Sequence, residues 1–241
     1  MVASKALLIV FAVAPTLLWL WFYLSRDDHP EPRLMLFLTY MGGGLTVIAS
    51  LLVYSVLEDI FSASGGQKIV NVITTGFVGL FVLAGIEEIM KYIPPRIFAF
   101  RTKALDEPID MIVYMVVSGL GFAAAENIFY VVGEMSTVDT GSAIALNILR
   151  SFTAIMMHAL SSGIFGYILA VGLLKGKNMR QWWCYGLVAA TVLHTTFNYF
   201  ILSIGDLVLI LILLLLSAFF LLEAIQYLKN LNINYIIKQE E

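Results

Sequence analysis

The chain is written in long apolar runs separated by short polar stretches, and the runs have the length of bilayer crossings. A helix needs about 20 apolar residues to cross the hydrocarbon. On that measure seven spans are predicted: Ala6–Leu24, Leu34–Leu57, Ile69–Ile93, Ile109–Val132, Ile144–Leu174, Trp182–Ile204 and Leu207–Leu228. The runs do not alternate as barrel strands would, so helices are the expected way to satisfy the backbone in lipid. The first run follows Lys5 in the manner of a signal peptide. It is nevertheless about 19 residues long, the length of a full span, and ends in Trp19, Trp21 and Tyr23 without a small-residue cleavage pattern, so it is expected to be a helix. The expected fold class is an all-α polytopic membrane bundle of about seven transmembrane helices. With no fixed-period repeat and no soluble section, residues 1–241 are expected to form one integral-membrane domain.

Composition agrees with the pattern. Of 241 residues, 60% are hydrophobic and only 13% charged, far from a soluble domain. The net charge of -3 and the absence of a dense basic run argue against nucleic acid as a partner. Cys184 is the single cysteine, so no internal disulfide is possible. The 14 Lys and Arg set an expected orientation. With the N-terminus outside, Arg26, Arg33, Lys91, Arg96, Arg101, Lys103, Lys175, Lys177, Arg180, Lys229 and Lys238 collect on the cytoplasmic side, leaving Lys5, Lys68 and Arg150, so N-out/C-in is favoured.

Charged and polar residues inside the runs then change the picture. Glu87, Glu88 and Lys91 stand in the third run, where each charge costs roughly 2.5–3.5 kcal/mol on insertion scales. Lys91 is four residues from Glu87 and three from Glu88, within reach of both on a helix. Pro94 and Pro95 follow and are expected to end or kink it. The fourth run carries Glu126, with no countercharge nearby in sequence, one turn beyond Phe122. The fifth carries His158, followed by Ser161 and Ser162, and the sixth carries His194 and Asn198 on one face. Arg150 is expected to reach back to the outer interface, and His29, in the proline-rich first loop, to be solvated.

Four consecutive spans thus offer polar groups, while the first, second and seventh offer almost none. Facing inward, they would share one hydrated cavity. Two adjacent carboxylates beside a lysine suit one of them to act as general base for water, and neutral His and Asn can donate to an oxyanion. Other protease designs fit less well. The zinc motif His-Glu-x-x-His is absent; Ser161 and Ser162 lack a nucleophile turn; Asp139-Thr140-Gly141 occurs once; Asp206 is isolated. One tension is the depth of the groups. At about 1.5 Å per residue, Glu88 would lie roughly 8 Å from the cytoplasmic end of its span, whereas Glu126 and His158 would lie roughly 24 Å from theirs. The preferred resolution is a third helix that continues past the prolines towards Arg101, with the site in the outer half of the bilayer.

Glu87-Glu88-x-x-Lys91, Phe122-x-x-x-Glu126, His158 and His194-x-x-x-Asn198, in that order, resemble the PrsW family of glutamate-type intramembrane proteases, within a superfamily that includes the CAAX-prenyl endopeptidases. Asp28-His29-Pro30-Glu31-Pro32 also resembles the Pro-Glu-Pro stretch of that family. The resemblance implies a multi-pass plasma-membrane endopeptidase that makes the first cut in a membrane-anchored anti-sigma factor during a stress response. Its partners would be a single-span membrane protein substrate and membrane lipid. Glu87 or Glu88 would be the base, with Glu126, His158, His194 and Asn198 completing the site and Lys91 and Phe122 supporting it. No cofactor is predicted, and a divalent metal on carboxylates and His is not excluded. The alternative is a proton-coupled membrane carrier using the same Glu and His residues, which would require repeated halves and interrupted helices.

Overall fold

A computed structural model describes residues 2–25, 30–63, 76–134, 140–176 and 178–240. Its helices are α1 (Val2–Leu24), α2 (Arg33–Ala63), α3 (Phe77–Phe98), α4 (Asp110–Glu134), α5 (Thr140–Phe152), α6 (Ala154–Leu174), α7 (Met179–Tyr199) and α8 (Leu207–Glu240), with a π-helical turn at Phe200–Ile204. Among the described residues there is no strand, and the chain is a polytopic all-α bundle. Five stretches are long and apolar enough to cross a membrane: Arg33–Ile60, Asp110–Tyr130, Ile148–Leu174, Met179–Ile204 and Leu207–Leu231. The apolar part of α1, Ala12–Leu24, is shorter. Helix α3 is the polar exception, with Glu87, Glu88 and Lys91 in its second half. Expected features at Arg26, Asp27, Asp28, His29, Lys68, Asp139 and Lys177 lie outside the described residues.

Helices α4 and α6 form the centre. Their apolar windows are 78% and 72% buried, against 22–33% for the windows in α2, α7 and α8, whose outer faces carry Leu45, Leu52, Val188, Leu215 and Phe219. Between helices in lipid the hydrophobic effect offers little, so close backbone approach decides the packing. The crossing of α2 and α4 shows it: a Cβ at Gly43 would collide with the backbone carbonyl of Ser118, and one at Gly121 with that of Tyr40. Gly119 plays the same part between α4 and α6, where a Cβ would meet the His158 carbonyl oxygen at 2.8 Å and Ser162 Oγ closer still.

Two expected helix boundaries differ in the structure. Pro94 and Pro95 lie inside α3, which continues to Phe98 and stops short of Arg101. A proline removes one intrahelical donor, and packed membrane helices tolerate this. Glu88 therefore sits ten residues, about 15 Å, before the end of its helix, which eases the mismatch in depth. The fifth expected span is not one helix: the chain bends at Thr153, where φ is -120° and ψ -73°, leaving α5 and α6. At the start of α4, Asp110 accepts from the backbone N–H groups of Asp106 and Glu107 at 2.9 and 2.7 Å, and Tyr114 donates to Glu31 at 2.6 Å. These bonds fix the stretch Pro30-Glu31-Pro32 against α4.

Candidate active site

The second half of α3 buries Glu88 and Lys91 completely, at 0% exposure each. Three residues apart, they form an ion pair of 2.5 Å. The same carboxylate oxygen, Glu88 Oε1, accepts from Ser161 Oγ on α6 at 3.0 Å and faces His194 Nδ1 on α7 at 2.8 Å. Lys91 also lies over the Phe122 ring, 5.4 Å from its centroid. The expectation that Lys91 would serve both acids is corrected. Neighbouring helical residues point about 100° apart, and Glu87 takes a different partner, the Tyr54 hydroxyl of α2, which donates to Glu87 Oε1 at 2.7 Å.

A second acid–imidazole pair is built from more distant pieces of chain. Glu126 Oε2 on α4 lies 2.8 Å from His158 Nε2 on α6. Arg150, in the last turn of α5, reaches the same oxygen at 3.3 Å, donates to Asn127 Oδ1 at 2.7 Å, and stacks 4.1 Å from the Tyr130 centroid. Asn127 in turn donates to the Ala12 carbonyl of α1. One expectation falls here: Arg150 turns inward rather than to the outer interface, and from 24 residues away it supplies the countercharge that Glu126 lacks locally. The bend at Thr153 is the physical reason, since it frees α5 from the line of α6 and brings its C-terminal turn to Glu126. The second helix likewise was expected to contribute almost nothing polar, yet it supplies Tyr54. A lone tyrosine in an apolar run gives no positional signal, and only tertiary packing shows its use.

The two pairs meet. The His158 and His194 rings are 5.1 Å apart and nearly perpendicular, and Phe122 lies 5.6 Å from the His158 ring. Facing a carboxylate, the bonded ring nitrogen acts as the donor, an assignment that follows from the hydrogen-bond network. His194 Nε2 and His158 Nδ1 are then lone-pair acceptors. His194 Nε2 faces Glu87 Oε2 at 3.6 Å, while Glu87 Oε2, Glu88 Oε2 and His158 Nδ1 are buried without a hydrogen-bond partner. Two acceptors facing one another repel unless a proton, a water or a cation lies between them. Glu87, Glu88, Glu126, His158 and His194 are thus brought together. Asn198, one turn beyond His194 and half-buried, makes no hydrogen bond to this cluster.

A helical membrane bundle with acids and imidazoles locked around a buried polar pocket is the form expected of an intramembrane hydrolase. The sequence profile described as the PrsW family intramembrane metalloprotease matches residues 31–224, and the chain belongs to that family. Known relatives, each called protease PrsW, include those of Geobacillus kaustophilus (27% identical over 199 residues, 81% of this chain and 80% of the relative) and Bacillus subtilis (26% over 187 residues, 77% and 78%). The protein of Clostridioides difficile is 25% identical over 199 residues, covering 81% and 79%. No solved structure matches the chain. The protein is therefore an intramembrane protease, a peptide hydrolase acting on protein in the membrane.

The family description names a metal, and the donor set fits one. Glu87, His158 and His194 each place a ligand atom within 4.8 Å of the others. One carboxylate and two imidazoles suit a zinc-like divalent ion. Each imidazole has its other nitrogen fixed by a carboxylate, Glu88 or Glu126, which is the usual support for a ligating histidine. The orphaned acceptors at Glu87 and His158 are the atoms such an ion would satisfy.

Proposed function

We propose that this protein hydrolyses a peptide bond of a single-span membrane protein in the plasma membrane, with water activated by glutamate. One observation carries the reading: Glu87, His158 and His194 face one small buried volume, and each imidazole is aligned by a separate acid. Either Glu87 Oε2, held in direction by Tyr54 at Oε1, or Glu88 Oε2 takes the proton of the attacking water, and a base so placed contributes about 10²–10⁴-fold. Asn198 lies one turn from His194 with its amide uncommitted and donates to the developing oxyanion. A divalent ion held by Glu87, His158 and His194 would supply Lewis-acid polarisation of water and carbonyl. With Glu87 engaged as its ligand, Glu88 Oε2 is the carboxylate oxygen left to hold the proton.

The resemblance of the motifs supports an anti-sigma factor as substrate and the first cut as the step performed. The whole chain, 1–241, acts as one unit, N-out and C-in. No observation favours the carrier reading. The test uses purified full-length protein in nanodiscs with a candidate single-span substrate. Glu87→Gln and His158→Gln should each reduce cleavage by about 10²–10⁴-fold with helicity unchanged. A chelator should do the same and added zinc should restore it. Cleavage that survives Glu87→Gln refutes the proposal.

A further inference from the structure

Beyond the catalytic cluster, at the other face of the turn that holds Lys91, Tyr92 opens a second space. Its ring stacks on Phe165 at 5.5 Å and meets Trp183 edge-on at 5.9 Å. Beside this aromatic wall is a cavity of about 490 Å³, in the size range of ligand sites. It lies where α3 and α6 end and α4 and α7 begin, so it sits at one end of the bundle.

Its lining has an uneven chemistry. Among the described residues Arg96 and Arg180 are its only charged residues, no acid lines it and neither arginine makes an ion pair. Leu169 and Leu173 supply an apolar floor. Leu173 and Met179 are 41% and 37% exposed, so one flank is apolar and open, which in a bilayer means open to acyl chains. Two guanidinium groups, of which Arg96 also bonds the Tyr92 hydroxyl and keeps further donors, ask for an anion with several oxygens. The apolar flank asks for hydrocarbon attached to it. A free phosphate would leave that flank unused, and a peptide would bring backbone groups that leucine and methionine cannot satisfy.

We propose that this cavity binds an anionic phospholipid, with its phosphate on Arg96 and Arg180 and its upper acyl chains along Leu169, Leu173 and Met179. Basic pockets between membrane helices are suited to such headgroups. The bound lipid would brace the C-terminal end of α3 through Tyr92, next in sequence to Lys91. The inference is independent of the proteolytic reading, because its readout is binding.

The experiment is native mass spectrometry of the delipidated full-length protein titrated with phosphatidylglycerol or phosphatidylcholine of the same chains. One phosphatidylglycerol should bind about tenfold or more tighter than phosphatidylcholine, and the double variant Arg96→Gln/Arg180→Gln should lose that preference, about 10–30-fold for two charges. Arg180→Gln alone, at an exposed position, should weaken phosphatidylglycerol a few-fold and serves if the double variant does not fold. Equal binding of the two lipids overturns the proposal. So does full preference in the double variant or in Arg180→Gln. Displacement of phosphatidylglycerol by free glycerol phosphate would make this a soluble-anion site, and stoichiometric displacement by an acidic single-span peptide would make it a substrate site. Either result refutes the lipid.

Discussion

Glu88 and Glu126 each hold one imidazole at 2.8 Å and each lie beside one cation, but the two corners are assembled by opposite means. Glu88 finds Lys91 within its own helix turn and is sealed at 0% exposure. Glu126 relies on α4, α5 and α6 being packed correctly, and its side chain is 33% exposed. A sealed ion pair is hard to disturb without leaving a bare charge in a dry interior. A pair at a partly open edge is screened and can rearrange. The Glu88 corner is therefore the fixed one of the two, and on the reading proposed above the Glu126 corner would be the side by which water and substrate reach the imidazoles.

The most damaging change is predicted at the anchor. Lys91→Met removes the only cation on Glu88 among the described residues and should cost about 3–5 kcal/mol, the range for breaking a buried pair. Thermal unfolding in detergent should show a large drop, and cleavage should vanish with the fold. If Lys91→Met is as stable as the parent, Glu88 is not an anchored charge and the contrast between the corners disappears.

Next in size is Gly119→Ala, which acts where the two corners share a wall. The added methyl would press on the His158 carbonyl and Ser162, and overpacking of this sort costs about 1–3 kcal/mol. Because the push falls on the turn that carries His158, cleavage should fall further than stability alone explains, measured at a temperature where both proteins remain folded. Gly44→Ala is the matched control. Its methyl would meet the Gly121 carbonyl oxygen at 3.3 Å and the Ala125 methyl at 3.7 Å, neither on the turn that carries His158, and should leave cleavage near the parental rate.

The difference between the corners also decided what could be read from the sequence. Glu87, Glu88 and Lys91 announced themselves because they are close in sequence and fall in an apolar run, so the helical repeat alone puts Lys91 within reach of both acids, and only the packed structure assigns it to Glu88. His158 and His194 stood out because imidazoles are rare in such runs. Arg150 and Tyr54 were not legible in the same way. An arginine near the predicted end of a span looks like an interfacial residue until the bend at Thr153 is known. The hydrophobic pattern runs through that bend without a proline or glycine to mark it. Asn198 was legible as a neighbour of His194, and the structure leaves its amide outside the bonded cluster. The helical class followed from run length, whereas the close crossing of α2 and α4 rests on which particular small residues face each other, a property of the pair rather than of either run.

A smaller effect on stability is expected at the open corner. Arg150→Gln breaks the contact with Glu126, but the pair is partly exposed, so stability should change by no more than about 1 kcal/mol. Cleavage should nevertheless drop severalfold, because Glu126 loses one of the two groups that hold it towards His158. Arg150→Lys should restore part of it, since the charge returns without the fork that also binds Asn127. A loss of stability equal to that of Lys91→Met would show that this corner too is an anchor.

Tyr54→Phe is the mildest and the most informative change. It removes one hydroxyl and leaves the ring, so stability should fall by about 0.5–1.5 kcal/mol or less, the worth of one hydrogen bond. Glu87 keeps its place on α3 but loses the donor that fixes Oε1, and with it the direction of Oε2 towards His194 Nε2, 3.6 Å away. The rate constant kcat should fall severalfold while KM stays near its parental value, since Tyr54 bonds Glu87 and is not placed on the substrate. If kcat is unchanged, the orientation of Glu87 is set by the imidazoles alone, and α2 is only a packing partner for α4.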